Sequence, residues 1–159
     1  MLKIYLQDSS DEVLISDIDY LHVAYEKWYK TKRGYIYRKE TNNKIQKAIY
    51  LHIFILKRMG YIDFERGDHK DKNPLNCQRD NLRVASISQN GMNSKIRSDN
   101  TSGYKGVSFH IQTTKWRACI QVNSKQISLG LYETIKEAAV AYNIAAIKYH
   151  KEFAVLNEL

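Results

Sequence analysis

Asp68 and His69 stand side by side, Asn81 follows twelve residues after the His, and Asn90 follows twenty-one after it. A carboxylate, an imidazole and two amides in that order are side chains that could carry out metal-assisted hydrolysis of a phosphodiester. A water must lose a proton in line with the phosphorus. A neutral imidazole, with an ordinary pKa of about 6.5, is the side chain best suited to take that proton near pH 7. A divalent cation covers the leaving oxygen and polarises the phosphate. Mg²⁺ takes oxygen ligands, needs few from the protein and completes its shell with water and phosphate. One carboxylate and one amide carbonyl therefore suffice.

Those four residues have to be positioned by the elements around them. "QKAIYLHIFILKRMG" reads as a helix, with Ala48, Leu51, Ile55 and Met59 at helical spacing and Gly60 as its stop. "YIDFE" reads as a strand, "KDKNPLNCQRDN" as a loop, "LRVAS" as a second strand and "ISQNGMNSK" as a short helix. Asp68 and His69 come at the end of the first strand, where alternation points them different ways: Asp68 to a metal, His69 to a water. Asn90 falls on the short helix, whose packing across the hairpin would let its amide meet Asp68 at one ion. Asn81 starts the second strand and can either brace the loop or hydrogen-bond near His69 to orient it. Asp71, Asn73 and Asp80 rank lower as ligands, because loop positions are less fixed; a plain polar loop uses such residues for turns. His52, on the apolar helix, reads first as a packing histidine, with a contact to the loop after His69 or to a phosphate as the alternative.

This ordered set resembles the ββα-metal (His-Me finger) nucleases of the HNH family. It is most similar to phage and intron homing endonucleases whose third motif residue is Asn; "YLHIFIL" and "DNLRVASISQN" share that likeness. The resemblance implies Asp68 and Asn90 as metal ligands, His69 as general base and Asn81 as the orienting residue. Asn90 in place of the wider family's last His favours one Mg²⁺ or Mn²⁺ per active site over Zn²⁺.

Downstream, "IRSDNTSGY" is polar and aperiodic, the reading of a linker. "YKGVSFHI", "KWRACIQV" and "KQISLGLY" read as three antiparallel strands, and "TIKEAAVAYNIAAIKYHKE" as a helix. Thr134 and Glu137 make a capping-box pattern, and Ala138, Ala139, Tyr142, Ala145 and Ala146 form a small-residue face. "YKGV", "LGLY", the Ala-rich helix and "AVLN" resemble the APETALA/ethylene-response-factor DNA-binding domain, an AP-two domain. The resemblance implies a three-stranded sheet laid in the major groove, which a narrow β-structure fits. By alternation Trp116, Ala118, Ile120 and Val122 face the helix. Arg117, Cys119, Gln121, Ser108, His110, Gln126 and Ser128 face outward. Phosphate contact and modest base reading are expected from Lys105, Lys115, Arg117, Gln121 and Lys125; Lys105 sits where the plant domains place a DNA-contacting Arg.

Charge supports a polyanion partner. The net charge is +8, and it is uneven: residues 1–60 carry 11 basic and 7 acidic side chains, 61–90 carry 5 and 5, and 91–159 carry 9 and 5. Basic flanks about a neutral middle suit a nucleic acid lying along the molecule. Residues 1–45 read as β-rich, with two strand-like runs about Gly34; Lys30, Lys32, Arg33 and Arg38 in this N-terminal hairpin, and Lys95 and Arg97 in the linker, are candidates for backbone contact. Two cysteines, Cys77 and Cys119, in no CxxC pair exclude a disulfide framework and a Cys-rich zinc module. No apolar run suggests a signal peptide or a membrane span, so the expected compartment is the cytoplasm, a host's if the gene is a phage's.

The expectation is an α+β chain: a nuclease module over residues 1–95 (ββα-metal core about 60–95), a linker over 96–103, and a DNA-binding module over 104–159. It predicts a metal-dependent, homing-type DNA endonuclease acting on double-stranded DNA. One such site cuts one strand, so a monomer nicks and a double-strand break needs a dimer or a second binding event. The competing reading is a non-catalytic, sequence-specific DNA-binding regulator with a decayed nuclease module.

Overall fold

The computed structural model describes residues 2–159, an α+β chain built from small sheets of antiparallel strands. Two compact units divide it, Met1–Ser86 and Ile87–Leu159.

In the first unit β1 (Leu2–Tyr5) and β2 (Glu12–Ile15) form a hairpin, followed by α1 (Asp17–Val23). A second sheet has the order β3 (Tyr29–Lys30), β4 (Ile36–Asn42), β5 (Ile45–Tyr50). Then come α2 (Leu51–Arg58) and the hairpin of β6 (Arg66–His69) and β7 (Leu82–Ala85). Val13, Ile15, Val23, Trp28, Ile36, Leu51, Ile55, Leu56 and Leu82 pack into one core. Leu51, Ile55 and Leu56 are wholly buried, and each such side chain contributes roughly 2 kcal/mol from burial. That burial, more than intrinsic propensity, holds a helix of only two turns.

The expected elements shift in three places. The helix expected from Gln46 begins at Leu51, because Asn43 and Lys44 adopt positive φ (49° and 66°) and turn the chain into a tight hairpin. Residues Gln46–Tyr50, Ala48 among them, are therefore spent on pairing with β4. "YIDFE" is not a strand; the strand is Arg66–His69. The β-rich reading of residues 1–45 missed α1. Gly60 does stop α2. At φ 96° it closes a Schellman turn, with Tyr61 N donating to Leu56 O (3.2 Å) and Gly60 N to Lys57 O (3.0 Å).

The second unit begins with α3 (Ile87–Met92). Its sheet has the order β10 (Lys125–Tyr132), β9 (Lys115–Val122), β8 (Val107–His110). Asn123 and Ser124, both at positive φ, make the two-residue turn between β9 and β10. α4 (Ile135–His150) covers one face, and its Thr134–Glu137 capping box is formed in both directions. Ala138, Ala139, Tyr142, Ala145 and Ala146 are all buried against the sheet, with Ala118 and Ile120 opposite. Gly106 is obligatory: its φ is 75°, and a Cβ there would lie 2.1 Å from Tyr142 and 2.6 Å from the Cys119 carbonyl. Residues 96–103 fold into turns tied by Asn100 and Ser102.

Candidate active site and nucleic-acid interface

The β6–β7 hairpin sets Asp68 opposite Arg83 and His69 opposite Leu82. As alternation requires, the two neighbours face different surroundings. Asp68 is buried and accepts from Arg83 Nε on its Oδ2 at 2.8 Å. This charge-assisted bond orients the carboxylate. His69 is buried on the α2 side, with its ring 4.9 Å from His52 and 6.2 Å from Tyr35, centroid to centroid. Its Nε2 faces the buried Cys77 Sγ at 3.7 Å. α2 comes this close because residue 67 is Gly: a Cβ there would sit 2.8 Å from both His52 Cδ2 and Leu56 Cδ1.

Burial pushes the His69 pKa below its ordinary value against the opposing pull of Asp71 and Asp68, so the imidazole is neutral at pH 7. Burial, and next the neighbouring His69, pushes His52 down to about 3. Burial raises the Cys77 thiol, which is therefore protonated at pH 7.

Asn81 braces the loop. Its Oδ1 accepts from Asp71 N (3.1 Å), and its Nδ2 donates to Asp71 Oδ1 (3.0 Å) and to the Asn76 carbonyl (2.7 Å). Asp71, a lower-ranked ligand in the sequence reading, is the carboxylate around which the loop folds. It also accepts from Asn73 N and Asn76 Nδ2, both at 2.8 Å. Burial works against its charge, but the bonds from Asn73, Asn76 and Asn81 prevail and hold its pKa below the usual carboxylate value. The loop is then docked on the N-terminal elements. Leu14 N donates to Leu75 O, and Cys77 N to Leu14 O. Asp19, wholly buried on α1, receives Arg79 at 2.6 and 2.8 Å and Arg58 at 2.9 Å. Asp19, Cys77, Arg83 and Tyr35 were not identified from sequence as site supports; His52, read there as a packing histidine or a contact to the loop, is both buried and stacked on His69. Arg83 was the accessible one, since pairing the two strands of the motif puts it across from Asp68.

Asn90 lies on α3, half-buried, in the second unit. Among the described residues no three His, Cys, Asp or Glu side chains gather so as to hold a metal ion. An oxygen donor set of one carboxylate and one amide instead suits a hard cation that keeps most of its water.

The basic candidates divide. Lys32, Arg33, Lys95, Arg117 and Lys125 are exposed, as is Gln121. Lys30 pairs with Asp11, Arg38 with Glu26 and Glu40, Arg97 with Asp99 and Lys115 with Glu133. Lys105 donates its ammonium to the Met92 and Ser94 carbonyls, at 2.7 and 2.6 Å. On the outer sheet face Arg117, Cys119 and Gln121 stand in register with Ser108, Ser128 and Gln126. No helix among the described residues is long and apolar enough to cross a membrane.

A family model described as HNH endonuclease matches residues 50–92, which span α2, the hairpin and α3. Protein 3.8 of Escherichia phage T7 is 31% identical over 132 residues, covering 82% of this chain and 95% of that protein. An uncharacterized HNH endonuclease of Acanthamoeba polyphaga mimivirus is 30% identical over 137 residues, covering 86% of this chain and 70% of that one. An AP2-like ethylene-responsive transcription factor of Arabidopsis thaliana is 45% identical over 58 residues, 35% of this chain and 17% of the plant protein. The chain therefore belongs to the HNH endonuclease family and joins the HNH module to an AP2-type DNA-binding module.

Proposed function

We propose that the protein is a metal-dependent DNA endonuclease that nicks double-stranded DNA with a site preference, as homing-type enzymes do. The observation that carries this is the Asp68–His69 pair on one strand, with the carboxylate oriented by Arg83 and the imidazole kept neutral by burial. His69 takes the proton from the attacking water. Asn81 fixes the loop that follows His69 and so sets the direction of the imidazole. Asp68 and Asn90 would hold one Mg²⁺ or Mn²⁺. That ion, when bound, supplies charge to the phosphate and to the leaving oxygen. Residues 1–95 act as the nuclease module and 104–159 as the DNA-binding module. The exposed Lys32, Arg33, Lys95, Arg117, Lys125 and Gln121 meet the phosphates and groove edges. A monomer cuts one strand, and the site of action is the cytoplasm of a host cell.

The test uses supercoiled plasmid and phage DNA with Mg²⁺, with Mn²⁺ or with EDTA, and the His69→Ala variant beside wild type. Nicking that needs the cation and disappears in His69→Ala, while DNA binding survives, is the expected result. If wild type cuts none of a broad DNA panel with either metal, the chain is a DNA-binding regulator that has lost catalysis.

A further inference from the structure

α3 has six residues, too few to hold itself together in water. It depends on what caps and packs it, and the cap comes from the DNA-binding module. Lys105 Nζ donates to Met92 O, the last carbonyl of α3, and to Ser94 O just beyond, at 2.7 and 2.6 Å. A cation at a helix C-terminus satisfies carbonyls that the helix cannot satisfy itself and complements its dipole.

Lys105 is in turn held rigidly. Its backbone N–H donates to Asn157 Oδ1 (2.7 Å) and its carbonyl accepts from Asn157 Nδ2 (3.1 Å). Asn157 is buried, and Asn143 on α4 exchanges two further bonds with its backbone. The next residue, Gly106, is wedged against Tyr142 of α4. α4 thus reaches α3 through an unbroken chain of hydrogen bonds.

We propose that Lys105 is a positioning residue rather than a phosphate contact, and that the sheet-and-helix module serves as the mount for the helix that carries the metal ligand Asn90. This rests on the reading of Asn90 as a ligand. The DNA-binding module then has two jobs, engaging DNA and holding the helix that bears Asn90.

The experiment uses the full chain with Lys105→Met, Lys105→Arg and Asn90→Ala. It measures Mn²⁺ affinity of the protein alone by titration with electron paramagnetic resonance, DNA affinity and its salt dependence in EDTA, and single-turnover nicking. Removing a group that orients a ligand lowers metal affinity by about 10–100-fold. Lys105→Met should show such a loss, with a matching loss of nicking rate. Lys105→Arg should recover most of it, and DNA affinity and salt slope should stay at wild type. If Lys105→Met melts below the assay temperature, Lys105→Gln replaces it. The proposal fails if the variant binds Mn²⁺ like wild type, or if it loses DNA affinity with a shallower salt slope. If Asn90→Ala also binds Mn²⁺ like wild type, the ligand assignment itself falls. If only Asn90→Ala weakens Mn²⁺ binding, that assignment stands and the role of Lys105 alone is rejected.

Discussion

Replacing His52 by Phe should make the protein more tolerant of acid. His52 is 7% exposed, packed between His69, Tyr35 and Tyr50, and burial holds its pKa near 3, whereas an unfolded histidine takes up its proton at about 6.5. The folded pKa is depressed, so the stabilising effect of a neutral His52 is complete above the unfolded value. It is lost as pH falls from about 6.5 toward about 3, because only the unfolded chain binds the proton in that window. The slope is about 1.4 kcal/mol per pH unit, so at pH 5 His52 alone removes about 2 kcal/mol. A Phe keeps the ring stack and cannot be protonated. Urea unfolding of both proteins at pH 7.5 and pH 5 isolates the term. Any packing penalty from the slightly larger ring is the same at both pH values and cancels in the comparison. His69, also depressed by burial, contributes to the acid loss of both proteins. The carboxylates are common to both proteins and cancel in the comparison. His52→Phe should therefore lose about 2 kcal/mol less than wild type between the two pH values. An equal loss in both proteins would refute the buried, neutral state assigned to His52.

Gly106→Ala should cost about 3 kcal/mol, from positive φ and from overlap with Tyr142 and the Cys119 carbonyl, and should lower the melting temperature. Asp19→Ala removes the buried carboxylate that holds the partly exposed Arg58 and Arg79, and should cost about 1.5–3 kcal/mol in urea unfolding. It should also expose the loop after His69 to limited proteolysis. Asn81→Ala removes the bonds to Asp71 and Asn76, and should cost about 1–3 kcal/mol and slow nicking while DNA affinity is retained. Replacing Lys32 and Arg33 together by Ala should reduce the slope of log affinity against log salt by about 1.8, measured by fluorescence anisotropy on duplex DNA.

In the second unit two strands and the long helix were readable almost residue for residue, while β8 and α3 are shorter than the runs expected for them. β9 and β10 occupy the expected runs, and the capping box and the small-residue face of α4 are where spacing put them. There, local signals and tertiary packing agree, since a buried helix face must be small to lie against a sheet. The first unit was harder because its pieces are held by distant partners. "QKAIYLHIFIL" has helical spacing throughout, yet the Asn43–Lys44 turn recruits its first half into a hairpin; pairing with β4 outweighs periodicity. α1 is short and owes its place to Asp19, whose partners Arg58 and Arg79 lie 39 and 60 residues away. The motif shows the same division. Asp68, His69, Asn81 and Asn90 were visible because their types and order carry chemistry. Arg83 and Cys77 were not, because they are ordinary residues until a register and a docked loop bring them beside Asp68 and His69. Lys105 shows how far this reaches. Read alone it is one more cation beside DNA; in the fold its ammonium is spent on the carbonyls at the end of α3. A lysine held on backbone carbonyls keeps its charge but is less free to close on a phosphate. The exposed Lys32, Arg33, Lys95, Arg117 and Lys125, a small part of the 25 basic residues, are then the cations expected to set the salt dependence of DNA binding.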